Sequence, residues 1–260
     1  MLSFRTRAAL VFAATALSAQ ASSTFPGEAW DANYLQAALE KPVFIDPSIF
    51  QLIAPGDPIN EIPFLKKAAE LRSSASMALS HDEIAEPMHH VFEVSTPNPQ
   101  IKPTSLTLLF LARKDANVVI TRLQVLFSRP RPNMVEPSIS EAYLSPGYPS
   151  YPSRTATESY LAAIILSRLD PPNTKAYLQR AEEIMRRTEV AGLQFPTDGA
   201  AGRSLALRIA EALFQQPSFN RIFDAAQTEW PAQAVSVDAN TSHSSSNSTP
   251  LTNLIDRIFK

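Results

Sequence analysis

The stretch SPGYPSYPSRTATESYLAAIILSRL, Ser145 to Leu169, decides how the chain is read. Its first part is a turn set with Pro146, Pro149 and Pro152. Its second part repeats apolar residues at helical spacing and predicts an amphipathic helix over 155–169. Ser153 stands at the N-cap of that helix, where backbone N–H groups point outward and the helix dipole favours an anion. Arg129 and Arg131, in SRPRP just upstream, add guanidinium forks suited to phosphate oxygens. Yet the residues after Ser153 are Arg154 and Thr155, and neither does covalent phosphate chemistry.

Working upstream, KPTSLTLLFLARKDANVVITRLQVLF opens with Pro103 and Thr104, a sound helix start, and predicts about 25 helical residues running to Ser128. RPRP then stops the helix, because proline lacks the N–H and restricts the residue before it. A loop bearing serine and proline crosses from Asn133 to Tyr151. Downstream of the opening stretch, further helices are expected at 173–191, 197–215 and 217–229. Earlier in the chain, DANYLQAALE and FLKKAAELRSS carry helical spacing, and Ser80 with Glu83 forms a capping box opening HDEIAEPMHHVFEV. Strand signals are nearly absent. The expected class is all-α, a helical bundle with irregular loops.

The 260 residues suffice for one domain with a substantial core. A net charge of −2 argues against a nucleic-acid binder. The N-terminus has Arg5 and Arg7, an apolar run from Ala8 to Leu17, and small residues at Ala19 and Ala21, the pattern of a cleaved signal peptide. The run is too short to span a bilayer, so no transmembrane span is expected in the mature chain. There is no cysteine for disulfides or thiolate metal sites, which fits a bacterial periplasmic protein stable without covalent staples. The expected organisation is a signal peptide over 1–21, an irregular and partly helical arm over 22–59 and a helical domain over 60–230. A polar low-complexity linker over 231–250 and an amphipathic helix over 251–260 complete it. In that tail, Leu251, Leu254, Ile255, Ile258 and Phe259 share one face, and two readings stand: docking on its own domain, or contact with a partner or membrane surface.

Three segments, QVLFSRPRP, YPSRT and RTEVAGLQFPTDGAAGR, together resemble the type 2 phosphatidic acid phosphatase superfamily, which includes bacterial class A acid phosphatases and vanadium haloperoxidases. The family pattern is K-x6-R-P, then P-S-G-H, then S-R-x5-H-x3-D. The resemblance extends over residues 60–220 and implies that family's helical fold. It also implies its chemistry: one histidine attacks phosphorus, a second protonates the leaving oxygen, an aspartate orients the nucleophile, and lysine, arginines and turn amides hold the equatorial oxygens.

Carried over position by position, most of that apparatus is replaced. Gln124 stands for the lysine. Arg131, Pro132, Pro152 and Ser153 are kept. Arg154 stands for the glycine and Thr155 for the acid–base histidine. Arg187 and Thr188 replace the serine and arginine of the third motif, Gln194 replaces the nucleophilic histidine, and Asp198 is kept. The four histidines are His81, His89, His90 and His243, so no shift of register supplies one between Thr121 and Ala234. With Gln194 at the vanadate-holding position, the resemblance implies no vanadate and no other cofactor.

The expected role is therefore a non-catalytic pseudo-phosphatase that binds or scaffolds in the envelope, with a protein partner or phospho-ligand. The alternatives are a divergent acid phosphatase acting on phosphomonoesters, and an anion or phospho-ligand binder using Arg131, Ser153 and Arg154. Arg129, Arg186 and Arg187 are further cations that would converge on an anion in the last reading. Against it stands an occluded pocket, with Arg131 paired with Asp198 or a neighbouring carboxylate, or Arg154 turned inward onto Asp198 or another carboxylate. Glu86 and His90 stand at i, i+4, beside His81, Asp82 and His89. That spacing matches no established zinc motif, and no metal site is expected.

Overall fold

The computed structural model describes residues 32–72, 83–139 and 146–230. The expected signal peptide, linker and tail helix lie outside them, as do Ser80, His81, Asp82 and His243. In chain order come α1 (Ala32–Leu39), 3-10 turns at Pro47–Ile49 and Pro58–Glu61, α2 (Ile62–Ala69), α3 (Pro87–Phe92) and α4 (Pro103–Phe127). Then follow α5 (Pro132–Val135), α6 (Arg154–Leu169), α7 (Thr174–Val190), α8 (Pro196–Phe214) and α9 (Pro217–Gln227). No strand occurs among the described residues, and the fold is all-α. None of their helices is long and apolar enough to cross a membrane.

The helix ends follow local chemistry. Proline occupies the first turn of α3, α4, α5, α8 and α9, where its missing N–H has no intrahelical partner to lose. α4 runs 25 residues and ends at Ser128, which takes a left-handed φ of 46° and donates its N–H to the Gln124 carbonyl at 2.8 Å. The start of α4 is closed from a distance. Glu229 accepts the amides of Thr104 (2.6 Å) and Ser105 (2.9 Å), satisfying two donors that the helix itself cannot. Trp230 completes this corner, donating Nε1–H to Ser105 Oγ at 3.0 Å beneath the Lys102 ammonium.

α6 corrects the sequence reading. It is buried on every face from Thr155 to Leu169 apart from Arg168, which is intermediate, and so is the central rod of the bundle rather than an amphipathic surface helix. The alternation of small and polar residues that mimics an exposed face is absorbed internally. Thr157, Ser159 and Ser167 donate their hydroxyls to carbonyls one turn back at 2.6–2.8 Å, and so need no water. α3, α4, α7 and α8 pack around it.

α8 approaches closest at Gly202, where an added Cβ would stand 2.7 Å from the Ser153 carbonyl and 2.9 Å from the Ala156 Cβ. This close approach brings the start of α8 against the start of α6, and so brings Asp198 to Ser153.

Residues 40–61 lie along the bundle as a strap fastened by side chains. Buried Asp115 of α4 accepts the amides of Val43, Phe44 and Ile45. Tyr151 donates its hydroxyl to the Ile53 carbonyl at 2.7 Å, and Arg208 donates to the Gln51 carbonyl.

Candidate functional site

The end of α4, the turn before α6 and the turn between α7 and α8 meet around one recess, lined among others by Arg131, Ser153, Arg154, Thr155, Thr188 and Gln194. Gln124 and Asp198 stand directly behind that wall. All eight positions singled out in the sequence are therefore neighbours, although they span residues 124 to 198. The cavity left between the lining residues is about 10 Å³, room for roughly one water and not for a phosphate.

The recess is filled by hydrogen bonds among its own walls. Ser153 Oγ donates to Gln194 Oε1 across it, and accepts the Ala156 amide at 3.1 Å as N-cap. Gln194 spends its amide on the Met185 carbonyl at 3.3 Å. Gln124, fully buried, donates Nε2–H to the Pro152 carbonyl at 2.7 Å and so ties α4 to the turn. Thr188 donates back to the Ile184 carbonyl at 2.9 Å.

The two recess arginines are engaged by protein. Arg131, 5% exposed, donates Nε–H to the Tyr148 carbonyl at 2.8 Å and Nη1–H to the Leu193 carbonyl at 2.6 Å. Arg154 donates to Asn117 Oδ1 at 2.9 Å and to Thr121 Oγ1 at 3.2 Å, both on α4. Both guanidinium groups lie near the ring of Tyr148, that of Arg131 at 4.7 Å and that of Arg154 at 5.1 Å from its centroid. Next along α6, Glu158 is buried at 1% exposure and pairs with Arg113 at 2.9 Å. Burial pushes its carboxyl up from the ordinary range, against the pull of Arg113 and Arg154.

The expected neutralisation of Asp198 occurs with a different partner. Neither Arg131 nor Arg154 reaches it; Arg129 does, through Nη1, while Arg154 meets another carboxylate, Glu158, at 3.9 Å. The second arm of Arg129 holds Glu61 Oε1 at 2.6 Å, and the guanidinium lies 4.3 Å over the Phe195 ring. Asp198 Oδ2 also accepts the Phe195 amide at 2.8 Å, and its carbonyl accepts the Ser153 amide at 3.0 Å. Complete burial pushes the Asp198 carboxyl up, while Arg129 and the Phe195 amide pull the other way. Glu61 closes the cluster by accepting the Thr197 amide (2.9 Å) and hydroxyl (2.7 Å).

The remaining arginines do not converge here. Arg186 pairs with Glu182 at 2.7 Å, and Arg187 pairs with buried Glu83 at 2.8 Å. The Glu86 and His90 spacing is likewise used structurally. Glu86 takes Arg113 at 2.7 Å, while His89 and His90 both meet Glu93 at 3.2 Å. No group of metal-ligating side chains occurs among the described residues.

Sequence reasoning missed Glu61, Asn117 and Thr121, none of which carries a motif. It named Arg129 only as a cation for an anion. The signal that would have found its role is the need of a fully buried carboxylate for the nearest guanidinium. No protein-family model matches the chain, and no curated protein matches it.

Proposed function

We propose that this is an exported, non-catalytic protein built on the helical scaffold of the type 2 phosphatidic acid phosphatase superfamily, acting by binding or scaffolding in the bacterial periplasm. The observation that carries this reading is the contact of Ser153 with Gln194 across the recess. The residues at the two positions that would bind phosphate and attack it are spent on each other. The hydroxyl that donates to a neutral amide has no base to activate it, and Gln194 neither titrates nor attacks.

A second reading, binding of a phospho-ligand without turnover, draws support from Arg131 and Arg154 both standing over Tyr148 at the recess. Ligand entry in that case requires the Ser153–Gln194 contact to open.

The test is a phosphomonoesterase assay of purified mature protein with a generic aryl phosphate from acid to neutral pH. Rates at the buffer blank are expected. Turnover well above it that disappears in both Thr155→Ala and Gln194→Ala would establish the divergent phosphatase instead.

A further inference from the structure

The first half of α4 presents apolar side chains to solvent. Phe110 is 66% exposed, and Ile101, in the 3-10 turn leading into the helix, is 68% exposed. Lys102, Leu106 and Phe110 stand four residues apart and so share one face. Leu106 is half-buried against the core, which makes this face continuous with the hydrophobic interior.

The described chain leaves the bundle at the foot of that face. Trp230 donates to Ser105, carries the Lys102 ammonium 4.0 Å from its ring centroid, and stacks on Phe92 at 5.9 Å. Phe110 stands two turns beyond Lys102, about 12 Å along the helix axis. The 20 residues 231–250 that follow Trp230 are polar and rich in serine. A linker of that composition has a root-mean-square reach of about 25 Å, ample for the start of α4.

The exposed apolar side chains Leu126, Ile53 and Ile59 gather at the opposite end of α4. Ile53 is fastened there by Tyr151, whose ring meets Phe127 at 5.1 Å, and Ile59 lies two residues before Glu61, which holds Arg129. The 25 residues of α4 put that end about 37 Å from Trp230, beyond the typical reach of the linker.

Read as a helix, residues 251–260 bring Leu251, Leu254, Ile255, Ile258 and Phe259 to one face. Ten residues are marginal as a free helix and need an apolar surface to pack on. We propose that residues 251–260 dock as a helix along the start of α4, with their apolar face over Ile101, Leu106 and Phe110. The tether holds the segment at an effective concentration in the millimolar range, so a contact too weak to persist between separate molecules is kept within one chain. The docking does not depend on the recess and stands whether or not the protein is a pseudo-phosphatase.

Hydrogen exchange of the full chain, followed by mass spectrometry in dilute solution, tests it. The amides of residues 252–260 should exchange at least roughly tenfold more slowly than their intrinsic rates, which a free segment would match. Phe110→Asp and Ile255→Asp, one on each side of the contact, should each abolish that protection while the amides of α6 keep theirs. Exchange at the intrinsic rate in wild type overturns the proposal, and protection gained only on adding phosphatidylglycerol vesicles would assign the tail to a membrane surface instead. Protection that survives Phe110→Asp overturns the assignment to α4. Protection that disappears over about a hundredfold dilution belongs to a contact between copies and overturns it as well. A second measurement leaves the apolar face intact. The chain has no cysteine, so a nitroxide on Thr107→Cys, an exposed position three residues before Phe110, is a unique label. It should broaden the NMR signals of the tail amides, and sharp tail signals overturn the proposal.

Discussion

Arg129 and Arg131 are separated by one proline and serve opposite walls of the same site. Arg131 faces the recess and donates to the carbonyls of Tyr148 and Leu193, holding turns together through neutral acceptors. Arg129 stands behind and bridges two carboxylates, Asp198 and Glu61, which belong to α8 and to the end of the strap. The front wall is a set of dipolar ties, each replaceable at modest cost. The back wall is an ionic cluster whose members are expensive to leave alone. The charged back wall stands independently of the front one, because a buried carboxylate needs a partner whatever the front wall does.

The largest expected effect follows from breaking that asymmetry. Arg129→Ala leaves Asp198 fully buried without its guanidinium, and a loss of about 3–5 kcal/mol is expected from denaturant unfolding at neutral pH. Arg131→Ala removes hydrogen bonds to backbone carbonyls and leaves no acid unpaired among the described residues. It should cost about 1.5–3 kcal/mol in the same experiment. Equal losses, or a greater loss for Arg131→Ala, would break the distinction between the walls.

The smallest expected effect is on activity. Gln194→His places one histidine at the recess, but Thr155 supplies no acid, and Gln124 and Thr188 supply no charge for a phosphoryl group. Groups that act as a unit are strongly non-additive, so no measurable gain in aryl phosphate turnover is expected. A gain would sharpen the comparison in the other direction, by showing a front wall closer to function than its hydrogen bonds imply.

The helices were legible because their ends are local chemistry. Pro103 opens α4 and RPRP closes it, Ser153 caps α6, and Pro196 and Pro217 open α8 and α9. The convergence of the candidate residues was legible to the extent that motif spacing constrains which turns meet. The pairing within the site was not. Sequence reading offered Asp198 or another carboxylate to Arg131 and to Arg154, because a buried carboxylate needs a partner, whereas the path of the chain beyond the left-handed Ser128 delivers Arg129 to Asp198. Glu61 reaches the cluster from 68 residues before Arg129, a separation at which no local pattern operates. The burial of α6 on all sides was misread for a related reason. Its threonines and serines look solvent-facing in sequence, and only their donation to carbonyls one turn back makes them compatible with a core.

The central claim is that the recess is closed by the protein's own side chains. Calorimetric titration of the purified protein with phosphate and with vanadate, at acid and neutral pH, tests it most directly. No heat of binding is predicted up to millimolar ligand for either anion. Saturable heat with a submillimolar Kd, abolished by Arg131→Ala in a protein that remains folded, would contradict the account and show that the front wall opens to hold an anion.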